Sequence, residues 1–238
     1  MSESNEIRET VTSSVALRRH APLIVAEALF VFSALSALMH GEHTAAVIPV
    51  ALLLASLPVL LVERWARVEI PARLQGLYAV LLLGGPYLGS QLGFYAIWTP
   101  WDTLVHFYSG FVVALGIVFA LGITGRRYGF SMPPWLAAVM IVAFSGFVAL
   151  LWEIAEFASD AVLGTEAQIT NFDTMTDLIA GTGSAIIVAA MLFLVQHRGR
   201  FPATEVMTQG TPPRQAPDAS ISAAGHARNA PMTEGATR

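Results

Sequence analysis

Seven carboxylate and imidazole side chains in this sequence fall at spacings that put them on common helical faces. Asp102 and His106 are four residues apart. Glu153, Glu156 and Asp160 stand at relative positions 0, 3 and 7, and Asp173 and Asp177 are again four apart. Each of these spacings returns to the same side of an α-helix. The stretch 152–177 alone holds Glu153, Glu156, Asp160, Glu166, Asp173 and Asp177, with no Arg or Lys among them. Carboxylates joined by one or two imidazoles suit a divalent metal ion: Mg²⁺, Mn²⁺, Zn²⁺ or Fe²⁺. One His among many oxygens does not choose between these metals. The short segment 40–44 can add His40, Glu42 and His43.

The elements that must position these groups are membrane helices. Of the 238 residues 55% are hydrophobic and only 13% charged, about half the charge of an ordinary soluble domain. Six apolar runs, at 21–39, 45–62, 74–94, 103–123, 134–157 and 174–195, each approach the length of about 20 residues that spans a bilayer. The expected fold is therefore all-α, a six-helix transmembrane bundle over 21–200. A cytoplasmic segment, 1–20, precedes it, as a surface helix or a disordered stretch. A tail at 201–238, rich in Pro, Ala, Thr, Gly and Ser, is expected to be disordered. Gly84-Gly85-Pro86 should kink the third helix, and Ala180, Gly181, Gly183 and Ser184 give the sixth a face for close packing. The first apolar run is longer than a signal-peptide core and reads as a retained helix.

Arginine sets the orientation. Arg18 and Arg19 precede the first run, Arg64, Arg67 and Arg73 separate the second from the third, Arg126 and Arg127 the fourth from the fifth, and Arg198 and Arg200 follow the sixth. The connections 40–44, 95–102 and 158–173 have no Arg, and the chain has no Lys. By the positive-inside rule both termini are cytoplasmic, in a bacterial inner (cytoplasmic) membrane. The fourth and sixth helices then enter from outside and the fifth runs outward. Glu153 lies about 28 Å along the fifth from residue 134 at 1.5 Å per residue. All three acidic groups therefore meet at one periplasmic-facing level.

Ionisable side chains in a membrane helix cost about 2.5–3.5 kcal/mol each at the bilayer centre and less near its edge. Seven on three helices, with every Arg at the opposite face, leave three ways to hold them: water exposure, shared protons or a bound cation. A cation fits best. Asp102, His106, Glu153, Asp173 and Asp177 form the core of the expected metal site. Glu156 and Asp160 stand beside them, Asp160 at the edge of the following loop, and Glu166 reads as a loop charge.

Other residues carry blander readings. Glu27, in the inner half of the first helix, is as readily a snorkelling or Arg-paired acid as a proton relay. Tyr95, Trp98, Trp101 and Tyr108 read as an interfacial aromatic belt in preference to a substrate cage. Trp152 is placed to pack beside the cluster. Ser109 and Ser145 have no His at nucleophile spacing, so serine-hydrolase chemistry has no support. The absence of Cys excludes disulfides and thiolate metal sites. No phosphate-binding glycine loop occurs, and no basic, aromatic-laced surface points to nucleic acid.

The segments WDTLVHFYSGF at 101–111, WEIAEF at 152–157 and DTMTDLIAG at 173–181 resemble the YjdF-like inner-membrane proteins of unknown function. These share an Asp-x-x-x-His helix start, a Glu in a later helix and a closing Asp-x-x-x-Asp. The resemblance covers about residues 75–195 and carries over Asp102, His106, Glu153, Asp173 and Asp177. It extends more distantly to the VanZ-like membrane proteins, associated with glycopeptide tolerance. No reaction follows from either. Three functions stay open. One is a metal-dependent enzyme at the outer leaflet acting on lipids or lipid-linked envelope substrates. The second is a cation-binding or transport protein, and the third a structural envelope protein with hydrogen-bonded carboxylates.

Overall fold

The structure, a computed structural model, describes residues 3–129 and 131–197. Its elements are α1 (Glu3–Met39), a 3₁₀ turn (His43–Ala46), α2 (Val47–Ala66), α3 (Ala72–Leu82), a π-helix (Leu83–Gln91), α4 (Phe94–Ile97), α5 (Pro100–Tyr128), α6 (Pro134–Leu163) and α7 (Asn171–His197). No strand occurs among the described residues. The polar N-terminal segment is helical from Glu3 and runs directly into the first apolar run. The expected disordered tail, 201–238, lies outside the described residues.

Five helices are long and apolar enough to cross a membrane, at Leu17–Met39, His43–Ala66, Pro100–Tyr128, Pro134–Val162 and Asn171–Val195. The third apolar run, 74–94, is not a single helix of spanning length, so the expected count of six single helices is met for five. Here α3 passes into the π-helix, which contains Gly84, Gly85 and Pro86. Proline has no N–H to donate and its ring clashes with the preceding turn. The α ladder gives way to a wider register there, where a simple kink was expected. The Trp101 indole N–H donates to the Gly84 carbonyl at 2.9 Å and ties the break to α5.

Two groups of helices make the body. Ala114, Val118, Ile141, Ala185, Val188, Ala189 and Leu192 form a core between α5, α6 and α7. Leu23, Ala26, Phe30, Leu52, Ala79 and Leu82 form a second between α1, α2 and α3. Val68, Phe119 and Ile123 join the two, and the Tyr108 hydroxyl donates to the Leu77 carbonyl at 3.0 Å. Lipid offers no hydrophobic drive between helices, so association depends on van der Waals fit and close approach of small residues. Large apolar side chains face outward, among them Phe32, Leu54, Phe144, Phe147, Ile154, Phe157 and Met191, as a lipid-facing surface requires.

Polar clusters occupy opposite ends of α5. At its C-terminal end the Arg127 guanidinium donates to the Ala66 carbonyl at 2.6 Å. Nearby, Arg19 pairs with Glu69 at 2.7 Å and lies 3.7 Å from Glu63. His20 stands 3.4 Å from Glu63 and 3.0 Å from the fully buried Gln75. Glu63 also accepts from the Ile70 N–H at 2.7 Å. The carboxylate and His106 cluster lies at the other end.

Candidate metal centre

Local sequence starts and stops the helices so that the acidic groups share one level. Pro100 opens α5 at a position where its missing N–H costs nothing, with Asp102 in the first turn and His106 a turn further in. A carboxylate there also complements the positive end of the helix dipole. Before α7, the Thr170 hydroxyl accepts from the Asp173 N–H at 3.1 Å and satisfies one of the free donors of the helix start. Asp177 follows one turn inward. On α6, Glu153 and Glu156 stand in the last turns before Gly164, whose φ of 67° ends the helix in the left-handed region.

A close helix crossing brings these turns together. A Cβ on Gly110 would collide with the Gly181 carbonyl oxygen and with Ser184 Oγ, so only glycine permits the approach of α5 to α7. Gly110 is four residues beyond His106 and Gly181 four beyond Asp177. The contact lies one turn inward of the site on both helices. Of the small-residue face expected on this helix, Gly181 and Ser184 are at the crossing, while Gly183 faces open space.

His106 is the centre. It is buried, with Nε2 3.6 Å from Asp102 Oδ1 and Nδ1 3.7 Å from Glu153 Oε1. Two sets of potential ligand atoms share it: Asp102, His106 and Asp177, and His106, Glu153 and Glu156, each with its atoms within 4.8 Å of one another. Glu153 and Asp177 are 4% and 2% exposed. Glu153 Oε1 and Asp177 Oδ1 are buried and have no hydrogen-bond partner. An unsatisfied buried polar atom costs about 1–3 kcal/mol, and more when charged, so these two oxygens are the least satisfied polar groups of the cluster among the described residues.

Other carboxylate oxygens of Glu153, Glu156 and Asp177 are held. The Trp152 indole N–H donates to Glu156 Oε1 at 2.7 Å. The Gln168 amide donates to the Glu153 carbonyl at 3.0 Å and reaches its Oε2 at 3.3 Å. Thr103 hydrogen-bonds the Asp177 carboxylate. Partners on one oxygen that leave the other free are how outer groups orient ligating carboxylates.

The structure brings together Asp102, His106, Glu153, Glu156 and Asp177. Asp173, half-buried, is in neither ligand set, but its charge acts on Asp102, His106, Glu153 and Asp177. Asp160 faces the loop: it accepts from the Thr165 hydroxyl at 2.5 Å, the Ala167 N–H at 2.8 Å and the Gln168 N–H at 2.9 Å. Both its oxygens organise the connection that delivers Gln168 to Glu153. Glu166 is exposed on the same loop, and His40, Glu42 and His43 are exposed at the end of α1 and in the following turn. His40 donates from Nδ1 to the Ser36 carbonyl at 2.8 Å.

Tyr95 enters the site from the segment before α5. Its ring fills the space that Gly89 leaves open, where a Cβ would collide with it. Burial, and then the carboxylates of Asp102, Glu156 and Asp177, push its hydroxyl above the usual phenol range. Its hydroxyl therefore keeps its proton. Its neighbours Phe94, Trp98 and Trp101 pack edge-on or tilted against one another with centroids 5.1–6.4 Å apart.

The sequence singles out none of Gln168, Thr103 and Gly110, and offers Tyr95 only as part of an interfacial aromatic belt. For Gly110 a signal existed: a glycine four residues past His106 mirrors the glycine four past Asp177. Gln168 and Thr103 carry none, because their roles depend on how the loop folds back and how α5 and α7 cross.

Residues 21–198 match the model of a family described as "Predicted membrane protein (DUF2238)". A 140-residue stretch is 31% identical to an uncharacterized protein of Thermotoga maritima, covering 58% of this chain and 71% of that protein. No solved structure matches. With the family model spanning the helices and the whole carboxylate cluster, the chain belongs to the DUF2238 family of membrane proteins.

Proposed function

We propose that this multi-pass protein binds a divalent metal ion through Asp102, His106, Glu153, Glu156 and Asp177, and that the site acts on lipids or lipid-linked envelope substrates. The observation that carries the reading is the pair of buried, unpartnered carboxylate oxygens, Glu153 Oε1 and Asp177 Oδ1, one in each of the two ligand sets that share the buried His106. No Arg or Lys lies between Arg127 and Arg198, so the chain offers α6 and α7 no side-chain cation of their own. Mn²⁺, Zn²⁺, Fe²⁺ and Mg²⁺ all accept oxygen-rich donor sets. The motif resemblance to the YjdF-like proteins fits the same class of bacterial inner-membrane protein.

A divalent cation held there supplies Lewis acidity toward an ester or phosphate oxygen. The chain supplies the rest. Tyr95 contributes an O–H donor, Gln168, Trp152 and Thr103 hold the carboxylates in place, and the lipid-facing surfaces of α6 and α7 border the site. With both termini cytoplasmic, as arginine placement implies, the site lies at headgroup depth on the outer face. The test is elemental analysis of the detergent-purified chain beside its His106→Ala and Asp177→Ala variants. Near-stoichiometric metal in the parent, lost in both folded variants, is expected. Release of headgroup or acyl product from lipid vesicles should then require the metal and vanish with chelator.

A second reading, cation transport, draws on one observation. The π-helix break abuts α5 beside the acidic end, with Gly85 against Val105 and Gly84 against Trp101. Broken helices in membranes often line ion paths. Metal uptake by proteoliposomes, absent from the His106→Ala variant, separates this reading from chemistry at the site.

A further inference from the structure

We infer that the centre takes two divalent cations, one at each edge of the His106 ring; this rests on the metal reading above. The geometry is two-sided. Nε2 faces Asp102 and Nδ1 faces Glu153, and these two carboxylates belong to different three-residue ligand sets that share His106. Each set also contains one buried carboxylate oxygen with no partner: Asp177 Oδ1 with Asp102, and Glu153 Oε1 with Glu156. An ion held by one set leaves the free oxygen of the other set buried beside a second carboxylate.

The outer hydrogen bonds are distributed in the same way. Thr103 holds Asp177 in the first set, while Gln168 and Trp152 hold Glu153 and Glu156 in the second. Both halves are oriented, not one ligating half and one merely supporting it. Charge runs in the same direction: two dications offset four of the five negative charges on Asp102, Glu153, Glu156, Asp177 and a His106 imidazolate, where one dication offsets two. The alternative is one ion on Nε2 with Glu153 accepting from Nδ1–H, a common way to orient a ligating His. The 3.7 Å separation exceeds hydrogen-bond length, and Glu156 has no role in that arrangement.

Binding on both edges requires His106 to give up its remaining ring proton, which passes to solvent as the second ion enters. The two ions and the bridging imidazolate then share one conjugated ring.

The experiment titrates chelator-stripped, full-length protein in detergent with Zn²⁺ or Mn²⁺ and counts bound metal by elemental analysis. Two ions per chain are expected. One should remain in the Asp177→Asn variant and one in the Glu153→Gln/Glu156→Gln variant. Loading the unmodified chain with Cu²⁺ gives a readout independent of variant folding: an exchange-coupled paramagnetic resonance spectrum is expected across a shared imidazolate. One ion per chain in the parent overturns the two-ion inference and leaves the single-metal reading standing. Two uncoupled ions overturn the shared ring. No bound metal overturns both readings.

Discussion

Gly110 on α5 lies against the backbone of Gly181 on α7, at a separation that no Cβ could enter. One turn outward on each helix stand His106 and Asp177. The two glycines therefore set the distance between an imidazole and a carboxylate that chemistry requires to be close. In lipid, where apolar burial contributes nothing between helices, such close packing is what holds the crossing.

Substituting Gly110→Ala should accordingly damage both stability and site. Overpacking of this kind costs roughly 1–3 kcal/mol, and displacing a metal ligand through its support weakens affinity on the order of tenfold or more. Gly116 is the control. It lies on the same helix with open space around its missing Cβ, so Gly116→Ala should be neutral or gain up to about 1 kcal/mol of helix propensity. Thermal unfolding in detergent and metal titration of the two variants check both halves. Equal behaviour would disprove the role given to the crossing.

Asp160 shares a helix face with Glu153 and Glu156 but is committed to the loop. Replacing it with Asn should loosen 164–170 and raise proteolytic cleavage there, while metal still binds at saturating concentration, with affinity lowered only through the loss of Gln168 from Glu153. Asp177→Asn should do the reverse, lowering metal content with the loop intact. Limited proteolysis and elemental analysis on the same preparations read both effects. Loss of metal in Asp160→Asn with an uncleaved loop would return Asp160 to the ligand set.

The level of the cluster was legible because helical spacing and arginine placement are local, one-dimensional signals. Asp102 with His106, Glu153 with Glu156, and Asp173 with Asp177 needed only the 3.6-residue period and the length of α6. What the sequence could not carry was direction across helices. Whether Asp160 turns toward the site or the loop depends on Gly164 and on the backbone N–H groups of Ala167 and Gln168, which only the folded connection places. The third apolar run illustrates another limit. Gly84-Gly85-Pro86 announces a disturbed ladder, but a kink and a π-helix satisfy the same residues, and the Trp101 indole at the Gly84 carbonyl accompanies the wider register. Glu63 and Gln75 carry no motif in the sequence, yet they anchor the opposite polar end through Arg19, His20 and the Ile70 backbone.

Metal binding by these ligands should be proton-linked. Carboxylates and imidazole bind cations only when deprotonated, so protons compete with metal. Apparent affinity should rise with pH and fall as the medium is acidified, and binding should release protons. Calorimetric titration in two buffers of different ionisation enthalpy gives the number released. In the His106→Ala variant that number should drop along with affinity. A titration with no buffer dependence would argue against binding through these groups.

The arginine pattern makes a separate, geometric prediction. Because the chain has no Cys, single cysteines can be introduced on a silent background. Glu166 lies exposed in the connection between α6 and α7, and Arg73 is exposed at the start of α3. The Glu166→Cys variant should react with a membrane-impermeant maleimide in intact spheroplasts. The Arg73→Cys variant should react only after the membrane is opened. The positive-inside rule rests on the cost of moving Arg across the bilayer during insertion, and four Arg-bearing segments, two connections and the two flanks, alternate here with three connections that have none. The opposite labelling pattern would turn the carboxylate cluster toward the cytoplasm. The His106 centre would survive that result, since it depends on helix packing alone. Chemistry on outer-leaflet lipids would not, and the search for substrate would move to the cytoplasmic face.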